Sequence, residues 1–132
     1  MECPVCHVPM VVFDVPSEFR SHAPESADAA GLCPTCLTLA AADSPARPPE
    51  FDHISSAFPT DDRAAVPLAL AIGLLDSLAL HRRSIEALLE SVEAAGTDPL
   101  LVLDRLDTQG GTQPAFDLSR RRHQIQQLLE SR

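Results

Sequence analysis

The sequence contains no lysine, no tryptophan and no tyrosine in its 132 residues. Its ten basic residues are therefore all arginine, and the 19 acidic residues give a formal net charge of −9. An acidic chain lacks the basic surface that a general nucleic-acid-binding protein needs. Because five phenylalanines are its only aromatic residues, it also lacks a base-stacking platform. These absences disfavour nucleic acid as the main partner.

The acidic excess without lysine favours a salt-adapted source. An acidic surface keeps a protein soluble in brine, because its self-repulsion is screened there. At molar salt the Debye length falls to roughly 3 Å. We therefore expect a halophilic origin.

The chain shows neither a leader nor a clear membrane span. Met1-Glu2-Cys3 lacks the basic and apolar regions of a secretory leader, so we expect a cytoplasmic protein. Residues 64–80 are at the short end for a membrane span. This run is also interrupted by Pro67, Gly73 and Asp76. We interpret it as a buried helix with no membrane role, whose apolar surface also offers a contact for a homo-oligomer.

The four cysteines carry the strongest functional signal. They form two C-x-x-C pairs with proline after the first cysteine, Cys3-Pro4-Val5-Cys6 and Cys33-Pro34-Thr35-Cys36. Such pairs are typical of a structural zinc site, because each turn presents two sulfurs on one side and four thiolates close a tetrahedral shell. Proline fixes φ and stiffens the turn. The predicted zinc ligands are Cys3, Cys6, Cys33 and Cys36.

Other uses of the cysteines stay open at this point. A rubredoxin-like iron centre has the same four-cysteine geometry. A disulfide needs an oxidising compartment, which the missing leader disfavours. A redox C-x-x-C belongs at a strand-to-helix junction, whereas Cys3 has no strand before it. His7 and Leu37 follow the two pairs at a position where many zinc knuckles, the C-x-x-C turns of such sites, have glycine. His7 is also a weaker candidate for a metal ligand.

Residues 1–42 predict a zinc ribbon. We expect a strand at residues 10–15, one helical turn at 17–22, a loop at 24–31 and a returning strand at 37–39. About 40 residues bury too little apolar surface to fold unaided, so metal binding must supply much of the folding free energy.

A short proline-rich segment follows the ribbon. Residues 43–50 indicate a semi-rigid linker. Residues 50–58 then predict a short helix with apolar residues at i, i+3 and i+7, namely Phe51, Ile54 and Phe58.

Helices account for the remaining chain. Residues 64–95 fit either one long helix or two stacked helices joined near His81. Residues 94–96 predict a helix end at glycine. Asp98-Pro99 predicts a helix start with Asp as N-cap and Pro at the first position, and a last helix begins near Asp117.

These elements make an α+β fold. A small zinc ribbon with short antiparallel strands precedes a bundle of three or four helices. The predicted domains are a zinc ribbon at residues 1–42, a linker at 43–50 and a helical domain at 51–132.

Arg120, Arg121 and Arg122 form the main basic run. In one interpretation they contact phosphate, because the guanidinium fork suits phosphate oxygens. In the other they are a solvated helix face paired with nearby glutamates, which the net charge of −9 favours.

We find no usable catalytic constellation, no G-x-S-x-G motif and no phosphate loop, so we expect no enzyme. The predicted role is a zinc-binding, non-enzymatic adaptor that docks another protein. One alternative is a nucleic-acid-associated regulator that uses residues 120–122. The other is a dithiol redox or metal-sensing protein.

The sequence resembles a family of small haloarchaeal proteins of unknown function that open with CPxC zinc knuckles. The resemblance spans nearly the whole chain and is carried by both knuckles and by residues 73–80, 98–106 and 116–118. It implies a metal-binding protein and supplies no catalytic residue and no partner. His7 and Leu37 depart from the commoner CPxCG form of the knuckle.

Overall fold

The computed structural model describes all 132 residues and has an α+β fold. Three strands form an antiparallel sheet in the order β1-β2-β3, with β1 at Val11–Asp14, β2 at Ala29–Leu32 and β3 at Leu39–Ala41. Four helices follow: α1 at Asp62–Leu74, α2 at Arg82–Ala94, α3 at Pro99–Thr108 and α4 at Leu118–Glu130. The predicted fold class is confirmed, with four helices in the bundle.

The first strand lies within its predicted range, and the second was missed. The loop predicted at 24–31 is wrong, because β2 occupies its last part and forms the centre of the sheet. Every residue of β2 is buried, from Ala29 to Leu32. The segment contains no β-branched or aromatic residue, so its strand comes from pairing on both edges and not from local propensity.

The returning strand is displaced from its predicted position. It spans Leu39–Ala41 instead of 37–39, because Leu37 has a positive φ of 62° that extended strands do not adopt. Further along, the predicted helix at 50–58 is reduced to a 3₁₀ turn at Phe51–His53. Its predicted apolar face is nevertheless buried, and the rings of Phe51 and Phe58 stack at 5.6 Å between centroids.

Residues 64–95 form two helices and not one. α1 ends at Leu74, a 3₁₀ turn covers Leu75–Ser77, and α2 begins at Arg82. The predicted helix end at Gly96 is confirmed by its φ of 93°. The predicted starts of the last two helices are confirmed as well, by the N-cap hydrogen bonds that the side chains of Asp98 and Asp117 accept.

One hydrophobic core of 29 buried residues joins sheet and helices. Phe13 and Leu32 of the sheet and Leu68 of α1 all belong to it. Every α1 residue from 64 to 72 is buried. The segment 43–50 contains no helix or strand, and the division into two domains around it stays a prediction. No helix is both long and apolar enough to cross a membrane.

Candidate metal centre

Each C-x-x-C pair sits in a tight hairpin of the same design. In the first, the Cys3 N–H donates to Val8 O at 2.8 Å and the His7 N–H donates to Cys3 O at 3.0 Å. The Val5 N–H also points at Cys3 Sγ, 3.4 Å away. An isolated antiparallel bridge between Glu2 and Pro9 closes the hairpin.

The second hairpin repeats these contacts. The Cys33 N–H donates to Thr38 O at 2.9 Å, and the Leu37 N–H donates to Cys33 O at 3.0 Å. The N–H groups of Thr35 and Cys36 both lie 3.4 Å from Cys33 Sγ. This hairpin is closed by strands β2 and β3 of the sheet.

His7 and Leu37 occupy matching positions with left-handed backbone, at φ 63° and 62°. A glycine reaches this conformation without a steric cost, whereas other residues are strained there by roughly 1–3 kcal/mol. The chain therefore keeps the usual knuckle geometry at both departures from the CPxCG form.

The hairpins bring the four predicted ligands together, with all four Sγ atoms within 4.8 Å of one another. The Sγ atom of Cys6 lies 3.2 Å from that of Cys33 and 3.7 Å from that of Cys36, while Cys3 Sγ lies 3.5 Å from Cys36 Sγ. Four sulfurs bound tetrahedrally at about 2.3 Å from one ion stand about 3.8 Å apart. The donor set therefore fits one tetrahedral metal ion, and thiolates in this geometry suit zinc and iron alike.

The metal-free thiols differ in acidity. Burial opposes ionisation of Cys3, but hydrogen bonds from the N–H groups of Cys6 and Val5 and from neighbouring thiols lower its pKa to about 6. Burial raises the pKa of Cys33 to about 12, and contacts with the sulfurs of Cys6 and Cys36 act in the same direction. Like charges this close disfavour full ionisation, so the metal-free cluster retains protons that a bound cation would displace.

Two contacts around the second hairpin were not anticipated from the sequence. The Thr38 hydroxyl lies 3.0 Å from Cys36 Sγ, and the Gln113 N–H, in the loop between α3 and α4, donates to Thr35 O at 2.7 Å. The sequence could have indicated the first contact, because Thr38 stands only two residues after Cys36. No sequence pattern indicated the second contact, because Gln113 lies far from Thr35 along the chain.

Comparison with known proteins assigns a family. The model of a family of unknown function, DUF6276, matches residues 2–129. The chain belongs to DUF6276. No curated protein and no solved structure matches it. Neither the family nor the cysteine cluster, which is placed to hold a metal ion, assigns an activity to the chain.

The three arginines of this DUF6276 chain do not share one role. Arg121 Nε donates to Leu75 O at 2.8 Å, and Arg122 Nε lies 3.4 Å from an Asp104 carboxylate oxygen. Only Arg120 is exposed without an ion pair. Phosphate binding by residues 120–122 stays a prediction.

An open groove of about 1030 Å³ lies beside the knuckles of this family member. Residues 41–50 line one part of it. The apolar residues that line it from the hairpins and β1 include Met1, Val8, Met10, Val12 and Pro34. Outside the groove, His22 Nδ1 lies 2.8 Å from Ser84 Oγ, and this hydrogen bond connects the N-terminal region to α2.

Proposed function

We propose that Cys3, Cys6, Cys33 and Cys36 hold one structural zinc ion in a non-enzymatic, cytoplasmic protein. The observation that carries this proposal is the convergence of four Sγ atoms within 4.8 Å. Four cysteine ligands fill a tetrahedral shell, so no position remains for a substrate or a reactive water. A bound zinc ion would cross-link the two hairpins, because each hairpin contributes two of the four sulfur ligands.

Metal analysis tests the zinc proposal. Purified protein should carry one zinc ion per chain by native mass spectrometry, and Cys33→Ser should lose it. The matched control is Thr35→Ser, which changes a non-ligand in the same knuckle. A colourless preparation with zinc supports the proposal, whereas a visible sulfur-to-iron absorption band or a chain without metal overturns it.

We propose further that the protein is an adaptor that binds an extended segment of another protein in the groove beside β1. The sheet order leaves β1 unpaired on one edge, and an edge strand can accept a peptide as an added strand. Met1 and Met10 line the groove, and methionine side chains adapt to varied apolar partners.

Site-specific substitution tests the adaptor role. Proteins retained by the tagged chain from its native host would be compared with those retained by Val12→Arg, which places a charge in the groove. Leu101 on α3 is 54% exposed, so Leu101→Arg is a control of equal charge at another site. A partner lost only with Val12→Arg supports the groove, and equal retention by both variants contradicts it.

We also propose a salt-adapted haloarchaeal source. The support is the net charge of −9 together with the absence of lysine. Because salt screens repulsion among acidic groups, the melting temperature should rise between low and molar potassium chloride. A melting temperature that salt leaves unchanged would contradict this.

A further inference from the structure

We infer that the second hairpin is a preformed half-site, and that residues 1–10 fold against it only when the metal binds. This inference rests on the proposed zinc site and concerns how that site is assembled. The first hairpin spans residues 1–10, and the second hairpin spans residues 32–39. The two share one backbone design but differ in what holds them to the rest of the molecule.

The second hairpin is anchored in the main core independently of metal. Leu32 and Leu37 are 0% and 2% exposed, and both belong to the core shared with the helices. Two of its residues also pair within the three-stranded sheet, Leu32 with Leu39. Gln113 adds a hydrogen bond to Thr35 O. These contacts keep the turn formed whether or not its sulfurs hold an ion.

The first hairpin lacks each of those anchors. Its only buried residues are Cys3 and Met10, which form a small separate cluster with Cys33. His7, the counterpart of Leu37, is exposed, and Val5 at the tip is 64% exposed. Its apolar contacts with the sheet are few and come from Met1, Val8 and Met10, and an isolated two-stranded hairpin is marginal in water. The links through Cys3 and Cys6 to the metal are therefore its main attachment.

Metal-dependent folding of the first hairpin would control a surface. Met1 and Met10 lie over the central strand at Gly31, where a Cβ atom would be 3.2 Å from Met1 Sδ and 3.4 Å from Met10 Cβ. Release of residues 1–10 uncovers the outer face of β2 and removes one wall of the groove. The proposed adaptor surface is then complete only in the zinc-bound protein.

Hydrogen–deuterium exchange on the full chain tests this, with zinc-loaded and chelator-stripped samples compared. Zinc stoichiometry is measured on the same samples. On stripping, the amides of Cys3 and Met10 should exchange at least about tenfold faster. The amides of Leu37 and Gln113 should keep their protection.

The outcomes separate the two proposals. A one-to-one zinc complex in which both hairpins lose protection equally, or in which neither does, overturns the inference and leaves the zinc site standing. Absence of bound zinc overturns both. As variants, Leu37→Ala should make the second hairpin metal-dependent, whereas His7→Ala should leave the wild-type pattern. If Leu37→Ala fails to fold, the wild-type comparison still decides.

Discussion

Gly73 of α1 and Leu39 of β3 meet so closely that no larger residue fits at position 73. A Cβ atom there would lie 2.4 Å from Leu39 Cβ and 2.8 Å from Leu39 Cδ2. Side-chain atoms do not approach to such distances without displacement of one partner. Because Gly73 has no side chain, the backbone of α1 packs directly against Leu39 of the sheet. The glycine therefore sets how closely α1 and the sheet can pack.

Gly73→Ala should therefore destabilise the protein by about 1–3 kcal/mol, the range found for overpacked cores. The direction is informative, because glycine to alanine within a helix ordinarily stabilises by roughly 0.5–1 kcal/mol. The free energy of unfolding would be measured by urea denaturation of the zinc-loaded protein. Gly111→Ala is the control, since nothing lies within 4 Å of a Cβ there. A stabilised Gly73→Ala would contradict the close contact.

His7→Gly and Leu37→Gly should change stability in opposite directions. Both residues have the same left-handed backbone, so glycine relieves similar strain at each. At exposed His7 the net effect should be a stabilisation of up to about 1 kcal/mol. At buried Leu37 the lost side chain should outweigh that relief and cost about 2–4 kcal/mol. Thermal unfolding of the two variants checks this, and a shared sign would refute the different anchoring of the knuckles.

Arg121→Ala should be more destabilising than Arg120→Ala. Arg121 donates to Leu75 O and to the Gln124 side chain, and a hydrogen bond from a charged group contributes about 1.5–3 kcal/mol. Arg120 contributes only its backbone N–H, which donates to Asp117 Oδ1 and is kept in the alanine variant, so the loss should stay within about 0.5 kcal/mol. Equilibrium denaturation of the two variants separates the roles, and equal losses would argue against them.

Arg120→Ala also serves as a clean test of nucleic-acid binding. It removes the exposed arginine of the run while leaving the Arg121 contact intact. If the run contacts phosphate, fluorescence anisotropy with single-stranded DNA should show weaker binding and a shallower salt dependence for the variant. Binding that the substitution leaves unchanged, or no binding at any salt, would reject that function.

Zinc affinity should fall by at least about tenfold per pH unit between roughly pH 8 and pH 6, because thiolate ligands must be deprotonated. Cys33, with a pKa of about 12 in the metal-free protein, is protonated throughout that window. Each zinc ion bound then expels this proton, so acid favours the metal-free form. Cys3, with a pKa of about 6, takes up its proton only near the acidic end.

Competition with a chromophoric chelator measures the pH dependence of zinc binding. Cys33→Ser, which lacks one of the four ligands, should bind no zinc at any pH in this window. Thr35→Ser is again the control that should keep the wild-type slope. An affinity independent of pH would show that Cys33 enters the cluster already ionised.

Much of the local structure could be predicted because its causes are local. Asp98 caps α3 with a hydrogen bond to the Leu100 N–H two residues away, and Pro99 sits at the first helical position as predicted. The burial of Phe51, Ile54 and Phe58 followed from their spacing. Strand β2 could not be predicted, because Ala29-Ala30-Gly31-Leu32 has little strand propensity. Its extended conformation comes from pairing with β1 and β3.

The sequence by itself determined the candidate metal ligands and the order of ribbon and helices. The spacing of the cysteines within each pair brings two sulfurs together in one turn, and caps and apolar periodicity act over a few residues. Only the tertiary structure decided the central strand β2, the break at Leu75–Ser77 and the different surroundings of the two knuckles. Those features depend on partners distant in the chain, such as Leu39 against Gly73 and Gln113 against Thr35, and no local pattern encodes such contacts.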